Sequence, residues 1–455
     1  MSFHPHSLHP RRGPTAAAPH AGPGMATFLV VWLGQLVSTL GSGLTQFALG
    51  LWVYQSTTSV TAYALSTLAA LLPRLLLAPL AGPLVDRWDR RLTMLLSDLG
   101  AGLCTLATAA LLYQQRLELG TLYALIALSA AFNTFQKPAY SASVVLMAPQ
   151  QHLGRANGLI QLAQAVSELF APLLAGVLVM TIQLWGVILI DCVTFLFASF
   201  TLLWVRIPRP ARPGGAAPAG VHSILQEARQ GWGFIAAQPG LLALLGFTAV
   251  FNFVWGMVGA LVTPLALSFT DPGGLGLLLT AAGAGMLAGS LAMSAWGGPR
   301  RRVAGILTAE LASGVCFWLI GIRPDLLLVS LGAFCAHTTI AVIAGSGRTL
   351  WQTRVPANMQ GRVFAFQEML AGSMAPLALL AAGPLAEKVF TPLLLPGGAL
   401  AASLGQVMGA GPGRGVGLMF LALGSLKILS ATAGLLYPRL RRLEEELPNL
   451  SAESA

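Results

Sequence analysis

An all-α membrane architecture of 12 transmembrane helices in two six-helix halves is predicted from three observations. Charged residues make up only 9% of the 455 positions, while hydrophobic ones make up 55%. Apolar runs long enough to cross a bilayer recur from residue 27 to residue 437. The basic residues gather in alternate connections between those runs.

A soluble domain carries roughly 25% charged residues to keep its surface hydrated. A chain with this little charge cannot cover a globule in water, whereas a helix crossing a bilayer needs about 20 mainly apolar residues. Gly, Pro and charge punctuation divide the runs into spans at 27–54, 60–81, 92–113, 120–147, 156–181, 184–205, 241–269, 275–297, 303–321, 325–347, 359–388 and 414–437. The interval 206–238 differs in kind. It opens with Arg206, Pro208, Arg209, Pro210, Arg212 and Pro213, continues as a Gly/Ala/Pro stretch, and ends in a short segment from Ser223 to Ala237. It is expected to be a cytoplasmic linker with a surface helix. The domain expectation is a 1–25 tail, a 26–205 bundle, the 206–238 linker, a 239–437 bundle and a 438–455 tail.

The net charge of +10 is a topology signal. The tails and even-numbered connections hold 19 Lys and Arg residues and the odd-numbered ones four, Arg116, Arg323, Lys388 and Arg414. Basic residues stay on the cytoplasmic side, so both termini are expected there, in a multi-pass inner-membrane protein with no nucleic-acid partner. Cys104, Cys192, Cys316 and Cys335 lie inside apolar spans without paired or metal-ligand spacing, and read as small buried hydrophobes. The first 25 residues lack a signal-peptide pattern. They read as a disordered tail or as an extension ahead of a true start at Met25. Their histidines, His4, His6, His9 and His20, have no Cys or acidic company, so no metal site is expected.

The halves resemble each other. Before span five the chain reads Pro149, four residues, Gly154-Arg155; before span eleven it reads Pro356, four residues, Gly361-Arg362. The connection after span two opens Gly82-Pro83, and the one after span eight opens Gly298-Pro299. A duplicated transporter places its site between the repeats.

The connection after span two runs Gly82-Pro83-Leu84-Val85-Asp86-Arg87-Trp88-Asp89-Arg90-Arg91. It resembles the cytoplasmic signature of the major facilitator superfamily: Gly, three residues, Asp-Arg, two residues and a basic pair. Asp89 stands where the family usually has a second glycine. Gly82 allows close packing, Asp86 can face the positive end of a helix, and Arg87, Arg90 and Arg91 can pair with acids or lipid phosphate. Span five carries Gly158, Ser167, Ala171-Pro172 and Ala175-Gly176. That spacing is similar to the helix-five signature of the superfamily's exporters, with Ser and Ala in place of several glycines. Small residues allow close helix contact and proline bends the helix. Phe135-Gln136-Lys137-Pro138-Ala139, Arg155-Ala156-Asn157-Gly158-Leu159 and Gly361-Arg362-Val363-Phe364-Ala365 extend the likeness to the bacterial subgroup of macrolide-efflux proteins and siderophore exporters. The resemblance implies efflux of amphipathic organic molecules by proton antiport and alternating access, with a proton-coupled importer of the same fold as the alternative. A monomer without cofactors is expected.

Ionisable residues inside hydrocarbon are costly and mark function. They are Arg74, Asp98, Lys137, Glu168, Asp191, Glu310, Glu368 and Lys427. Arg74 and Asp98 are assigned to supporting the Asp86 loop, Asp191 to a wet site near the outer surface, and Lys427 to anchoring helix packing. Glu168, half-way along span five, is the first proton-coupling candidate, against the competing reading of a carboxyl fixed to Lys137. Glu368 is the second and Glu310 the third. Gln35, Thr39, Ser42 and Gln46, spaced four, three and four, share one face of span one. They are expected to line a substrate cavity with Asn133, Gln136, Asn252, Trp255 and His337. No phosphate-cradling glycine loop, His/Cys cluster or Ser nucleophile elbow is present, which argues against an enzyme and against direct ATP drive.

Overall fold

The computed structural model describes residues 24–148, 153–205, 221–411 and 413–446. Residues 1–23 of the expected 1–25 tail and most of the linker lie outside the described residues, as do the surroundings of Gly82 and Gly158 and the side chains of Asp86 and Arg87.

Among the described residues the elements are helical, with no strand. The first half comprises α1 (Met25–Thr57), α2 (Val60–Arg87), α3 (Arg90–Tyr113), α4 (Leu119–Met147) and a stretch Leu153–Trp204. The apolar part of that stretch, Leu159–Trp204, is 46 residues long. At 1.5 Å per residue it would reach about 69 Å, twice the hydrocarbon thickness of about 30 Å. It breaks at Gln183, whose φ of 61° and ψ of 177° are not helical, giving α5 (153–182) and α6 (184–204). A linker helix, Val221–Ala236, leads into the second half. There follow α7 (Pro239–Leu267), α8 (Pro272–Trp296), α9 (Arg302–Ile322) and α10 (Leu326–Arg354). Helix α11 (Ala357–Pro384) continues through a π-helical turn, Leu385–Phe390, and α12 is Arg414–Leu436. Twelve membrane-crossing helices are therefore present among the described residues.

Helix starts follow capping chemistry. Asp89, Asp271 and Asp325 accept from the backbone N–H of Leu92, Gly274 and Leu328, at 3.1, 2.7 and 2.8 Å, opening α3, α8 and α10. A carboxylate at this position satisfies one of the helix's unpaired donors. Two helices outrun their apolar cores. Helix α2 was expected to end at residue 81 and continues to Arg87, so Gly82 to Arg87 form its last turns and not a loop. Helix α10 runs past 347 to Arg354 and takes in Arg348. Long basic side chains let a helix leave the hydrocarbon without unwinding, so a helix's end need not coincide with the end of its apolar run.

Packing repeats with a six-helix offset. The pairs α1–α5, α2–α4 and α3–α4 of the first half recur as α7–α11, α8–α10 and α9–α10 in the second. The linker helix packs on α11 with Ile235 fully buried and the Trp232 and Phe366 rings 5.4 Å apart. The halves meet through α5–α8 and α2–α11. The polar and glycine contacts between them cluster away from the end that carries Arg90, Arg91, Arg300 and Arg354. Tyr63 Oη is 3.0 Å from Thr263 Oγ1, Gly383 packs on Thr61, and Glu387 accepts from Ser59 and Thr61. Beside these contacts, at the end opposite the arginines, Val60 and Ala64 of α2 enter the core of the second half near Leu261, Leu278 and Phe317.

Candidate translocation site

Near the arginine-bearing end, α7, α9, α10 and α11 enclose a cavity of about 470 Å³. Its polar groups are Thr248 and Asn252 on α7, Arg348 and Gln352 on α10, and Gln367 and Glu368 on α11. Thr248/Asn252 and Arg348/Gln352 are each four apart, so each pair falls on one helix face. Phe247, Phe251, Trp351 and Phe364 supply apolar walls. Such a mixture suits an organic molecule with both apolar bulk and polar groups.

A second cavity of about 240 Å³ lies deeper, lined by Trp255, Phe317, His337 and Phe420 among apolar neighbours. The Trp255 ring stands edge-on to His337 at 4.8 Å and to Phe317 at 5.5 Å. Phe251 and Trp255, 6.2 Å apart, line the first and second cavities respectively. Against these rings sits the Lys427 ammonium, 5.1 Å from Phe251, 5.7 Å from Trp255 and 5.2 Å from Phe317. It donates to Glu310 Oε1 at 2.8 Å, and both side chains are buried. Lys427 thus anchors α12 to α9, and Glu310 is held in an ion pair.

The polar face of α1 departs from the expected cavity lining and turns to its own half. Gln35 donates to Asp98 Oδ2 on α3 at 3.3 Å and accepts from Gln136 on α4 at 2.8 Å. Thr39 bonds the carbonyl of Gln35, and its own carbonyl accepts from Ser167 on α5 at 3.0 Å. Ser42 donates to Asp191 on α6 at 3.4 Å. Gln46 is exposed and Asn133 half-buried. Two expectations are corrected here. Asp191 is not wet: it is 1% exposed, because Gly41 lets α6 close directly onto α1. Asp98, equally buried, engages Gln35 rather than the Asp86 segment. Two buried carboxylates need donors, and α1 provides them seven residues apart.

Glu168 is exposed, accepts weakly from Gln164 at 3.5 Å, and lies within electrostatic range of Lys137, which also senses Arg74. The small residues of α5 divide between two partners. Ser167 and Ala171 meet α1, the latter at Gly43, while Pro172 and Gly176 meet α8 at Gly276 and Pro272. Of the signature's basic pair, Arg90 donates to the Ala142 carbonyl at 2.9 Å, and Arg91 to those of Leu202 and Leu203 at 2.8 and 2.6 Å. Asn252, expected to line the cargo cavity, and Glu368, expected to be a proton-coupling candidate, line the same cavity. Arg348, Gln352, Gln367 and Thr248 were not expected site residues; the four-residue spacing of Thr248 with Asn252 and of Arg348 with Gln352 was the available signal for all but Gln367 on α11.

Residues 31–379 match the family model of the Major Facilitator Superfamily. Macrolide efflux protein A of Streptococcus pyogenes is 24% identical over 366 residues, covering 80% of this chain and 90% of that protein. Multidrug efflux pump Tap of Mycolicibacterium fortuitum is 26% identical over 430 residues, covering 91% and 97%. Among solved structures, a bacterial homologue of the iron transporter ferroportin in the inward-facing state superposes with a TM-score of 0.63 at 14% identity, over 90% of this chain and 98% of that one. A bacterial homologue of the human lysosomal transporter Spinster gives 0.64 at 14%, over 90% and 97%. The solved structures share the fold, and the family model spans most of the chain in which the six-helix packing repeats. This multi-pass membrane protein therefore belongs to the Major Facilitator Superfamily of transporters.

Proposed function

We propose that this chain exports amphipathic organic molecules, of the macrolide, siderophore or secondary-metabolite class, in exchange for protons by alternating access. The observation that carries the proposal is the division of labour between the two ends. Contacts between the halves gather at one end, and the polar-walled cavity of about 470 Å³ lies toward the other. With the arginine-rich connections in the cytoplasm, as the basic bias implies, this is the state that loads cargo from inside. The helix-five likeness to exporters and the names of the macrolide and multidrug relatives support efflux over uptake.

In this reading the chain acts as a monomer with both termini cytoplasmic. Arg348, Glu368 and Asn252 bind the polar part of the cargo and the aromatic wall binds its apolar part. Glu168 exchanges the proton, as an intramembrane carboxylate within electrostatic range of Lys137 on the neighbouring α4. Glu368 is the alternative coupling group, and Glu310 ranks below both because Lys427 holds it. The test is uptake into everted vesicles of a panel of macrolides, siderophores and dyes, with and without a proton uncoupler. Uncoupler-sensitive accumulation of at least one class is expected. Accumulation in right-side-out vesicles alone would reverse the direction.

A further inference from the structure

We propose that Glu387 is the latch that closes the outer end of the transporter, and that a proton arriving from that side opens it. The inference rests on the alternating-access reading above.

Glu387 belongs to the second half, yet its carboxylate is bound by the first turn of α2 in the first half. Ser59 Oγ donates to Oε1 at 2.7 Å, the backbone N–H of Thr61 donates to Oε1 at 2.9 Å, and Thr61 Oγ1 donates to Oε2 at 2.9 Å. The first N–H groups of any helix lack partners within it, and the helix dipole favours an anion there. Ser59 is already the N-cap of α2, with its Oγ accepting from Ala62 at 3.1 Å. The acid from the other half therefore completes a cap that the helix had only partly supplied. Charge-assisted hydrogen bonds of this kind are about twice as strong as neutral ones.

The backbone is shaped for the contact. Glu387 lies in the π-helical turn Leu385–Phe390, an uncommon conformation frequently found at functional positions. Gly383, one turn earlier, packs against Thr61 so closely that a side chain there would strike its backbone. Separating the halves at this end would break all three bonds at once and leave the first turn of α2 without its anion. The interaction exists in only one of the two states, so it biases the equilibrium between them.

Protonation would remove the charge that the helix terminus attracts. Glu387 is half-exposed, so a proton has access. The titratable and charged groups around it are the Tyr54 hydroxyl on α1, within electrostatic range, and the exposed Lys388 on its own turn. Arg414 at the start of α12 is engaged elsewhere, donating to the Met408 carbonyl at 3.0 Å. The partners that hold the carboxylate are neutral donors that favour its charged form, so closure of the latch and protonation of the acid oppose each other. Acid on the outer side would loosen the latch and favour outward opening, the direction that export in exchange for incoming protons requires.

The test uses the full chain in lipid nanodiscs, with its native cysteines replaced by serine and spin labels at Gln115→Cys and Arg323→Cys, in the outer connections of the two halves. Distance distributions are recorded in neutral and acid buffer for the parent, Glu387→Gln and Glu387→Ala. The parent is expected to gain a longer outer distance in acid. Both variants should show that longer distance already at neutral pH, with its population raised about tenfold, and should respond little to acid. If the parent responds to acid and both variants keep its distribution and its response, the latch assignment is overturned while alternating access stands. If the parent holds one outer distance under every condition, with and without cargo, the alternating-access reading itself fails.

Discussion

Gly176 on α5 and Gly276 on α8 lie in reciprocal contact: a Cβ at Gly176 would come within 2.7 Å of the Pro272 carbonyl oxygen, and one at Gly276 within 2.7 Å of the Pro172 carbonyl oxygen. Each glycine thus lets the backbone of the opposite half approach at the position four residues before its partner. Replacing Gly276 by Val places a branched side chain against backbone that cannot swing aside. Overpacking of this kind costs about 1–3 kcal/mol, and the cost falls only on the state in which the two halves touch here. Maleimide labelling of a cysteine at Thr280, which in the wild type donates to the Leu169 carbonyl at 3.3 Å, should accelerate in the Gly276→Val background. Unchanged labelling would mean that the contact does not hold the halves together.

The Lys427–Glu310 pair should behave as a unit. Lys427→Met leaves a carboxylate buried without its cation, and breaking one side of a buried pair costs about 3–5 kcal/mol. Glu310→Gln combined with Lys427→Met removes both charges and should recover most of the lost thermal stability in detergent. A double variant as unstable as the single one would show that aromatic packing around the ammonium, not the pairing of charge, is what matters.

Glu168→Gln keeps size and hydrogen-bonding capacity and removes the titrating group. It should abolish efflux driven by a pH gradient while cargo still binds, as read by equilibrium binding to the purified protein. A variant that still pumps against a concentration gradient, and dissipates the pH gradient as the parent does, shifts the assignment to Glu368.

Asp86→Asn should impair transport without preventing membrane insertion. A carboxylate facing a helix end contributes about 0.3–2 kcal/mol to one conformation, enough to change turnover and too little to prevent folding. Wild-type kinetics in this variant would remove Asp86 from the mechanism.

Arg91 spans two carbonyls at the end of α6, Leu202 and Leu203. Arg91→Ala should lower the apparent melting temperature by the equivalent of about 1–2 kcal/mol, since cations near a helix C-terminus and charge-assisted bonds each contribute on that scale. Lys at this position cannot make both bonds in the same fork geometry, so Arg91→Lys should recover only part of the loss.

The helix count was legible because hydropathy is a local property of the chain, whereas the Asp caps that open α3 and α8 put their starts at Arg90 and Pro272, two and three residues ahead of the expected spans. The destination of the α1 polar face was not. A spacing of four, three and four identifies a face, but a buried carboxylate on another helix satisfies that face as well as a water-filled cavity does. Asp98 and Asp191 supplied such carboxylates, and only their hydrogen bonds with Gln35 and Ser42 reveal it. Glu387 was harder still. It falls at the end of an expected span and finds its donors 326 to 328 residues away, across the two halves.

The one-residue joint at Gln183 has a consequence for how the protein is made. Ile182 and Leu184 are both apolar, so no hydrophilic loop has to be carried through the bilayer between α5 and α6. The two helices can enter the membrane as a preformed hairpin, already paired. By then α1, synthesised earlier, is available with Ser42 and Gly41 exposed toward the position Asp191 will take. The acid would therefore never need to face lipid alone, and lengthening the joint with a polar insert would be expected to reduce membrane integration before it affected anything in the finished transporter.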